Sequence, residues 1–73
     1  MKNIVIYTEY IKLGQLLKIA GIIVNGSEAK IFLEENIVYV NGETEQRRGR
    51  KIYPGYQVKI GKEEFIIQDD QNK

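Results

Sequence analysis

Six consecutive residues, Gln46-Arg47-Arg48-Gly49-Arg50-Lys51, hold four cations. Arginine presents a planar, permanently charged fork of N–H donors that matches phosphate oxygens. Three arginines therefore point to anion recognition somewhat more strongly than charge alone. Gly49 in their midst lets a ligand approach the backbone closely. The run by itself also suits a solvated loop beside a turn, arginines paired with Glu43 and Glu45, or a contact with another protein.

A second group lies upstream. Leu13, Leu16, Leu17 and Ala20 recur at offsets of 0, 3, 4 and 7, which places them on one face of a helix over residues 12–20, with Gly21 where a helix end favours glycine. Lys12, Gln15 and Lys18 then share an exposed side of that helix, and Gly14 keeps that surface open. Gly26, Ser27 and Lys30 stand at the start of a second helix, where free N–H groups favour an anion. For Asn25 and Glu28 helix capping is the plainer role, as a capping-box-like pair. Ala29, Phe32 and Leu33 mark the buried face of this helix, which should end near Asn36. The few residues between the helices make them packed neighbours.

Other chemistry is missing. With no cysteine and no histidine among 73 residues, the chain has no thiolate nucleophile, no imidazole for proton transfer near neutral pH and no zinc ligand set. Glu34-Glu35 and Glu63-Glu64 are adjacent pairs, and neighbours on a helix or strand point apart, so they do not form a two-carboxylate site. The glycines stand singly, without a phosphate-binding loop of the nucleotide-hydrolase kind. No enzyme, cofactor or metal is expected. No apolar run approaches the ~20 residues that span a bilayer, and no signal peptide is evident, so a cytoplasmic protein without membrane contact is expected. The net charge of +1 divides into −3 over residues 63–73 and +4 over residues 1–62, a basic body with an acidic tail.

The elements around these residues are those of one small α+β domain spanning residues 1–73. Ile4 to Tyr7 form an edge strand. Ile37 to Val40 form a second strand, and Asn41-Gly42 after it, the strongest two-residue hairpin signal, turns the chain into a returning strand. Pro54-Gly55 marks a further turn, and strands over 57–60 and 64–68 flank Gly61-Lys62. Asp69 to Lys73 should fray. Tyr7, Tyr10, Tyr39, Tyr53 and Tyr56 could stack on bases. Packing at the rim of the core is favoured for most of them, with Tyr39 the hardest to place.

Taken in order, Leu13-Gly14-Gln15-Leu16-Leu17-Lys18-Ile19-Ala20-Gly21, Gly26-Ser27-Glu28-Ala29-Lys30, Val38-Tyr39-Val40-Asn41-Gly42-Glu43, Arg47-Arg48-Gly49-Arg50-Lys51 and Pro54-Gly55 resemble the S-four-type RNA-binding domain, or alpha-L motif. The resemblance covers roughly residues 11–60 and is nearest the short bacterial YaaA-like proteins. It implies two helices packed against a small, bent, mainly antiparallel sheet, with RNA lying across the helix pair and the hairpin edge. It nominates Lys12, Gln15, Lys18, Ser27, Lys30, Asn41, Arg47, Arg48, Arg50 and Lys51 as RNA contacts. Two positions depart from the family pattern: Lys12 stands where a hydroxyl cap is expected, and Tyr56 where an aspartate commonly follows the Pro-Gly turn.

The resulting expectation is a monomer that binds structured RNA, ribosomal RNA or tRNA on the ribosome, by phosphate and shape recognition, with ribosomal proteins as neighbours. Ribosome assembly and ribosome-associated quality control are the processes it fits. The alternative is an interaction module docking an acidic protein. Replacing Arg47 and Arg50 by alanine is expected to weaken RNA binding and leave folding intact.

Overall fold

The structure, a computed structural model, describes residues 1–70. Its elements are β1 (Lys2–Ile6), β2 (Ile11–Lys12), α1 (Leu13–Ile19), a 3-10 turn (Gly26–Glu28), α2 (Ala29–Glu35), β3 (Val38–Val40), β4 (Glu43–Thr44), β5 (Lys51–Ile52), β6 (Gln57–Ile60) and β7 (Glu63–Asp69). Five strands form one sheet in the order β1-β7-β6-β3-β4, parallel at β1-β7 and antiparallel elsewhere; β2 and β5 form a separate antiparallel ribbon. The fold is therefore α+β, two helices against a mostly antiparallel sheet, and β1 is an edge strand as its length suggests.

Each helix has seven residues, too short to persist in water without tertiary packing. Leu13, Leu16 and Leu17 of α1 and Ala29 and Leu33 of α2 are buried, against Val38, Val40, Val58, Phe65 and Ile67 from one face of the sheet. The strands supply that face by alternation: Val58 and Ile60 point inward while Gln57 and Lys59 stay exposed. The end of α1 follows from Gly21 at φ +77. The Gly21 N–H donates to the Lys18 carbonyl at 3.0 Å and the Ile22 N–H to that of Leu17 at 2.9 Å, a Schellman closure that satisfies two helix-end carbonyls.

The start of α2 differs from the expected capping box. The Asn25 side chain makes no capping bond; its backbone carbonyl accepts the Glu28 N–H at 3.0 Å. The tight 3-10 turn carries Glu28 back past Asn25, and its carboxylate accepts the Val24 N–H at 3.0 Å instead.

The hairpin signal forms as read. Val40 pairs with Glu43, and Asn41 and Gly42 take φ of 51° and 86°, the positive values of a type I′ turn. At Pro54-Gly55 the Tyr56 N–H donates to the Tyr53 carbonyl at 3.1 Å with Gly55 at φ +94, so backbone closes this turn in the absence of an aspartate. Tyr56 packs on the core. Asp69 and Asp70, expected to fray, are instead paired: Asp69 faces Ile6 in the β1-β7 ladder, and the Asp70 N–H donates to the Ile6 carbonyl at 3.1 Å. β7 needs Asp69 to match the fifth residue of β1. Gln71 to Lys73, also expected to fray, lie outside the described residues.

Candidate nucleic-acid interface

The basic run is anchored to the start of α1. The N–H groups of Leu13 and Gly14, two of the donors a helix leaves unsatisfied at its N-terminus, each donate at 2.9 Å to the carbonyls of Arg50 and Arg48. The Lys12 N–H donates to Gln15 Oε1 at 2.9 Å, which supplies half of a capping box. A lysine side chain has no acceptor, so loop carbonyls replace the hydroxyl cap that Lys12 lacks. The N–H groups of Lys12, Leu13 and Gly14 at the helix start are thus filled by protein, which leaves little of the α1 N-terminus to a phosphate. What it offers is a fixed seat for the arginine loop.

Gly14 lies at the point where three segments meet. A Cβ there would stand 3.5 Å from the Cβ of Ala29 on α2 and 3.5 Å from the Cβ and carbonyl oxygen of Arg48. A methyl there would make ordinary contact with both neighbours, so Gly14 stands at a junction of the loop and α2 rather than on an open surface. Beside it the β2-β5 ribbon sets Lys12 directly opposite Lys51. Like charges in facing positions destabilise a sheet, and an anion lying over both relieves the repulsion. Lys12, Arg48 and Lys51 are exposed and belong to segments in direct contact. Lys30 and Ser27 are exposed at the start of α2, on either side of Ala29. Lys18, three residues beyond Gln15, is exposed in the last turn of α1, where it also complements the negative end of the helix dipole.

Arg47 and Arg50 differ from the other cations. Both bind Glu45, which is only 7% exposed. Arg47 grips it with two bonds, Nε to Oε2 at 3.0 Å and Nη2 to Oε1 at 3.1 Å, and Arg50 Nη1 donates to Oε1 at 2.9 Å. The N–H groups of Gln46 and Arg47 complete the set at 3.1 and 3.0 Å. This carboxyl is held down at about 2 from an ordinary 4.5, first by the Arg47 side-chain bonds, against an opposing effect of burial, and further by the Arg47 N–H and Arg50. Arg47 is raised above its usual value by the same contact. One carboxylate thus bends the loop around itself and offsets one of two arginine charges. Of the two nearby acids, Glu45 has this role, and Glu43 has no ion pair among the described residues.

This clamp corrects the expectation that both arginines are dispensable for folding. Arg47, with its side chain 75% exposed, still presents a face to solvent; Arg50, at 30%, is largely committed to Glu45. Asn41 also has a structural occupation. Its Oδ1 accepts the Gln57 N–H at 2.9 Å and its own N–H donates to the Gln57 carbonyl at 2.7 Å, so its contacts run to β6 and not to the basic loop.

Three tyrosines pack, as expected for most of the five. Tyr10 lies 5.5 Å from Tyr53, and Tyr53 lies 5.7 Å from Tyr56, in tilted pairs. Lys51 Nζ sits 5.0 Å above the Tyr10 ring, which steadies that cation on the basic side of the ladder. Tyr39 and Tyr7 are exposed, Tyr7 by 74%. Sequence reasoning did not single out Glu45 as the organiser of the loop; its spacings of two and five residues from Arg47 and Arg50 do not fit one helical or strand period together. Among the described residues no acidic cluster could hold a metal, and no helix is long and apolar enough to cross a membrane.

The family model described as "S4 domain" matches residues 4–68, almost the whole described chain. A Bacillus subtilis protein named "Probable ribosome maturation protein RlbA" is 55% identical over 53 residues, 73% of this chain and 75% of that protein. These agreements, with two helices on a mostly antiparallel sheet and a basic loop seated on the first turn of α1, make the chain a member of the S4 family of RNA-binding domains.

Proposed function

We propose that the protein binds structured ribosomal RNA in the cytoplasm, without catalysing a reaction, and acts during ribosome maturation. The observation that carries this reading is the junction at Gly14, where the loop carbonyls of Arg48 and Arg50 hold the first turn of α1 and Lys12 stands opposite Lys51. A rigid cluster of cations from three segments suits phosphates whose spacing is set by a folded backbone. The major groove of duplex RNA is too narrow for side chains to read, so recognition rests on phosphates and shape. The Bacillus relative's name supports the process.

Lys12, Lys18, Lys30, Arg48 and Lys51 supply the contacts, with the outer face of Arg47, while Gln15 and Ser27 add polar donors. The test is RNA binding across a salt series. If four to six phosphates are neutralised, log affinity falls against log salt with a slope of about −3 to −5. Lys12→Ala with Lys51→Ala should reduce the steepness by about 1.5 and leave the melting temperature nearly unchanged, since neither side chain supports the core. A flat salt response would remove the phosphate mechanism, and a cellular complex that survives nuclease digestion intact would favour an acidic protein as the partner.

A further inference from the structure

An open groove of about 690 Å³ runs beside the basic face, between the β1-β2 connection and α1. Val5, Ile6, Ile11 and Ile19 give it apolar walls, and Tyr7 and Tyr10 add aromatic surface. The rest of its lining is polar: Thr8, Glu9, Lys12 and Gln15. Two of these, Lys12 and Gln15, also belong to the proposed RNA face, so the groove continues that face rather than standing apart from it.

We propose that this groove receives one nucleobase turned out of the bound RNA. The inference rests on the reading of the basic face as an RNA interface and adds a second mode of recognition to it. The groove's chemistry fits a base better than a phosphate. Glu9 would repel a phosphate, but its carboxylate accepts hydrogen bonds from the amino and ring N–H groups on a base edge. Gln15 is pre-aimed: its Oε1 is fixed by the Lys12 N–H at 2.9 Å, which leaves the amide NH2 as the donor available to a base carbonyl or ring nitrogen. Tyr7 supplies the stacking face. It is 74% exposed and pairs with no other ring among the described residues, whereas Tyr10 is already engaged with Tyr53 and Lys51. The Thr8 hydroxyl donates to the Tyr10 carbonyl at 2.7 Å and bends the connection that carries Tyr7 and Glu9. A flat aromatic surface with one acceptor, one donor and a cation at its mouth is the set that holds an unstacked base while its phosphate stays outside.

The experiment compares two RNA hairpins of identical stem, one fully paired and one with a single bulged guanosine, bound to the full chain at fixed salt. Guanosine offers adjacent N–H donors to Glu9 and an acceptor to Gln15. The bulged hairpin should bind on the order of tenfold more tightly. Tyr7→Ala should erase that preference and leave binding of the paired hairpin unchanged; Tyr7→Phe, which keeps the ring, should retain it. Glu9→Gln should reduce the preference without altering the melting temperature. Equal, salt-dependent binding of both hairpins by the unaltered protein would overturn the groove inference and leave the phosphate-binding reading standing. Binding of neither hairpin at low salt would overturn both. A bulge preference that survives Tyr7→Ala would place the base elsewhere and reject this groove.

Discussion

Replacing Glu45 by glutamine isolates the clamp that shapes the basic loop. In the folded protein this carboxyl titrates near 2 against an ordinary 4.5. A carboxyl depressed on folding stabilises the native state above its ordinary value, and that contribution is lost as pH falls through the folded value, here between about 4.5 and 2. At roughly 1.4 kcal/mol per unit the ceiling is about 3 kcal/mol. Arg47 stands largely in water, and screening of its charge brings the working figure to ~2–3 kcal/mol. For a domain whose whole margin is roughly 3–5 kcal/mol, this is a large share. Urea unfolding from pH 7 down to 2.5 measures it. The unaltered protein should lose about 2 kcal/mol more over that range than Glu45→Gln. The variant should start lower at pH 7, melting roughly 10–20 °C earlier. Parallel pH profiles for the two proteins, or equal stability at pH 7, would refute the clamp. By the same reasoning Arg47→Ala with Arg50→Ala strands a buried charge and lowers the melting temperature, and adding Glu45→Gln to that pair restores part of the loss.

Two further substitutions separate structural from binding roles. Gly14→Ala places its methyl at ordinary contact distance from Ala29 and Arg48, and helix propensity favours alanine, so urea unfolding should show a gain of up to about 1 kcal/mol with RNA affinity retained. Asn41→Ala removes the acceptor for the Gln57 N–H and puts a less tolerant residue at φ 51, a loss of about 1–2 kcal/mol. RNA affinity measured well below the melting temperature should be unchanged, although the family resemblance nominates Asn41 as a contact.

Much of the fold was legible because it depends on local signals. The 0, 3, 4, 7 spacing of Leu13, Leu16, Leu17 and Ala20 marks a helix, Gly21 closes it, and Asn41-Gly42 turns the hairpin, each through neighbours a few residues away. The β2-β5 ribbon was not legible. It joins Ile11-Lys12 to Lys51-Ile52 across some forty residues, in strands too short to show an alternation. In the sequence Glu45 reads as a surface partner, because an acid beside a basic run looks solvated until the Val38 carbonyl accepts its N–H and the loop arginines wrap its carboxylate. The capping pair at Asn25 and Glu28 misled for a related reason: the residue types suit a cap, but an intervening 3-10 turn changes which N–H the carboxylate meets.

The clamp also changes what the arginine run contributes to RNA binding. A free loop of four cations would attract polyanions strongly and pay the entropy of ordering when it bound them. Here Glu45 removes one unit of charge and fixes the loop beforehand, so Arg48 and Lys51 leave it at set positions relative to Lys12. Attraction falls slightly while geometric selectivity rises. Glu45→Gln should therefore move the two in opposite directions: binding to unstructured polyanions such as a homopolymer strengthens with the extra net charge, and preference for folded RNA over that homopolymer shrinks. A variant that loses affinity for both in proportion would mean that the clamp serves stability alone, with no part in selecting the shape of the ligand.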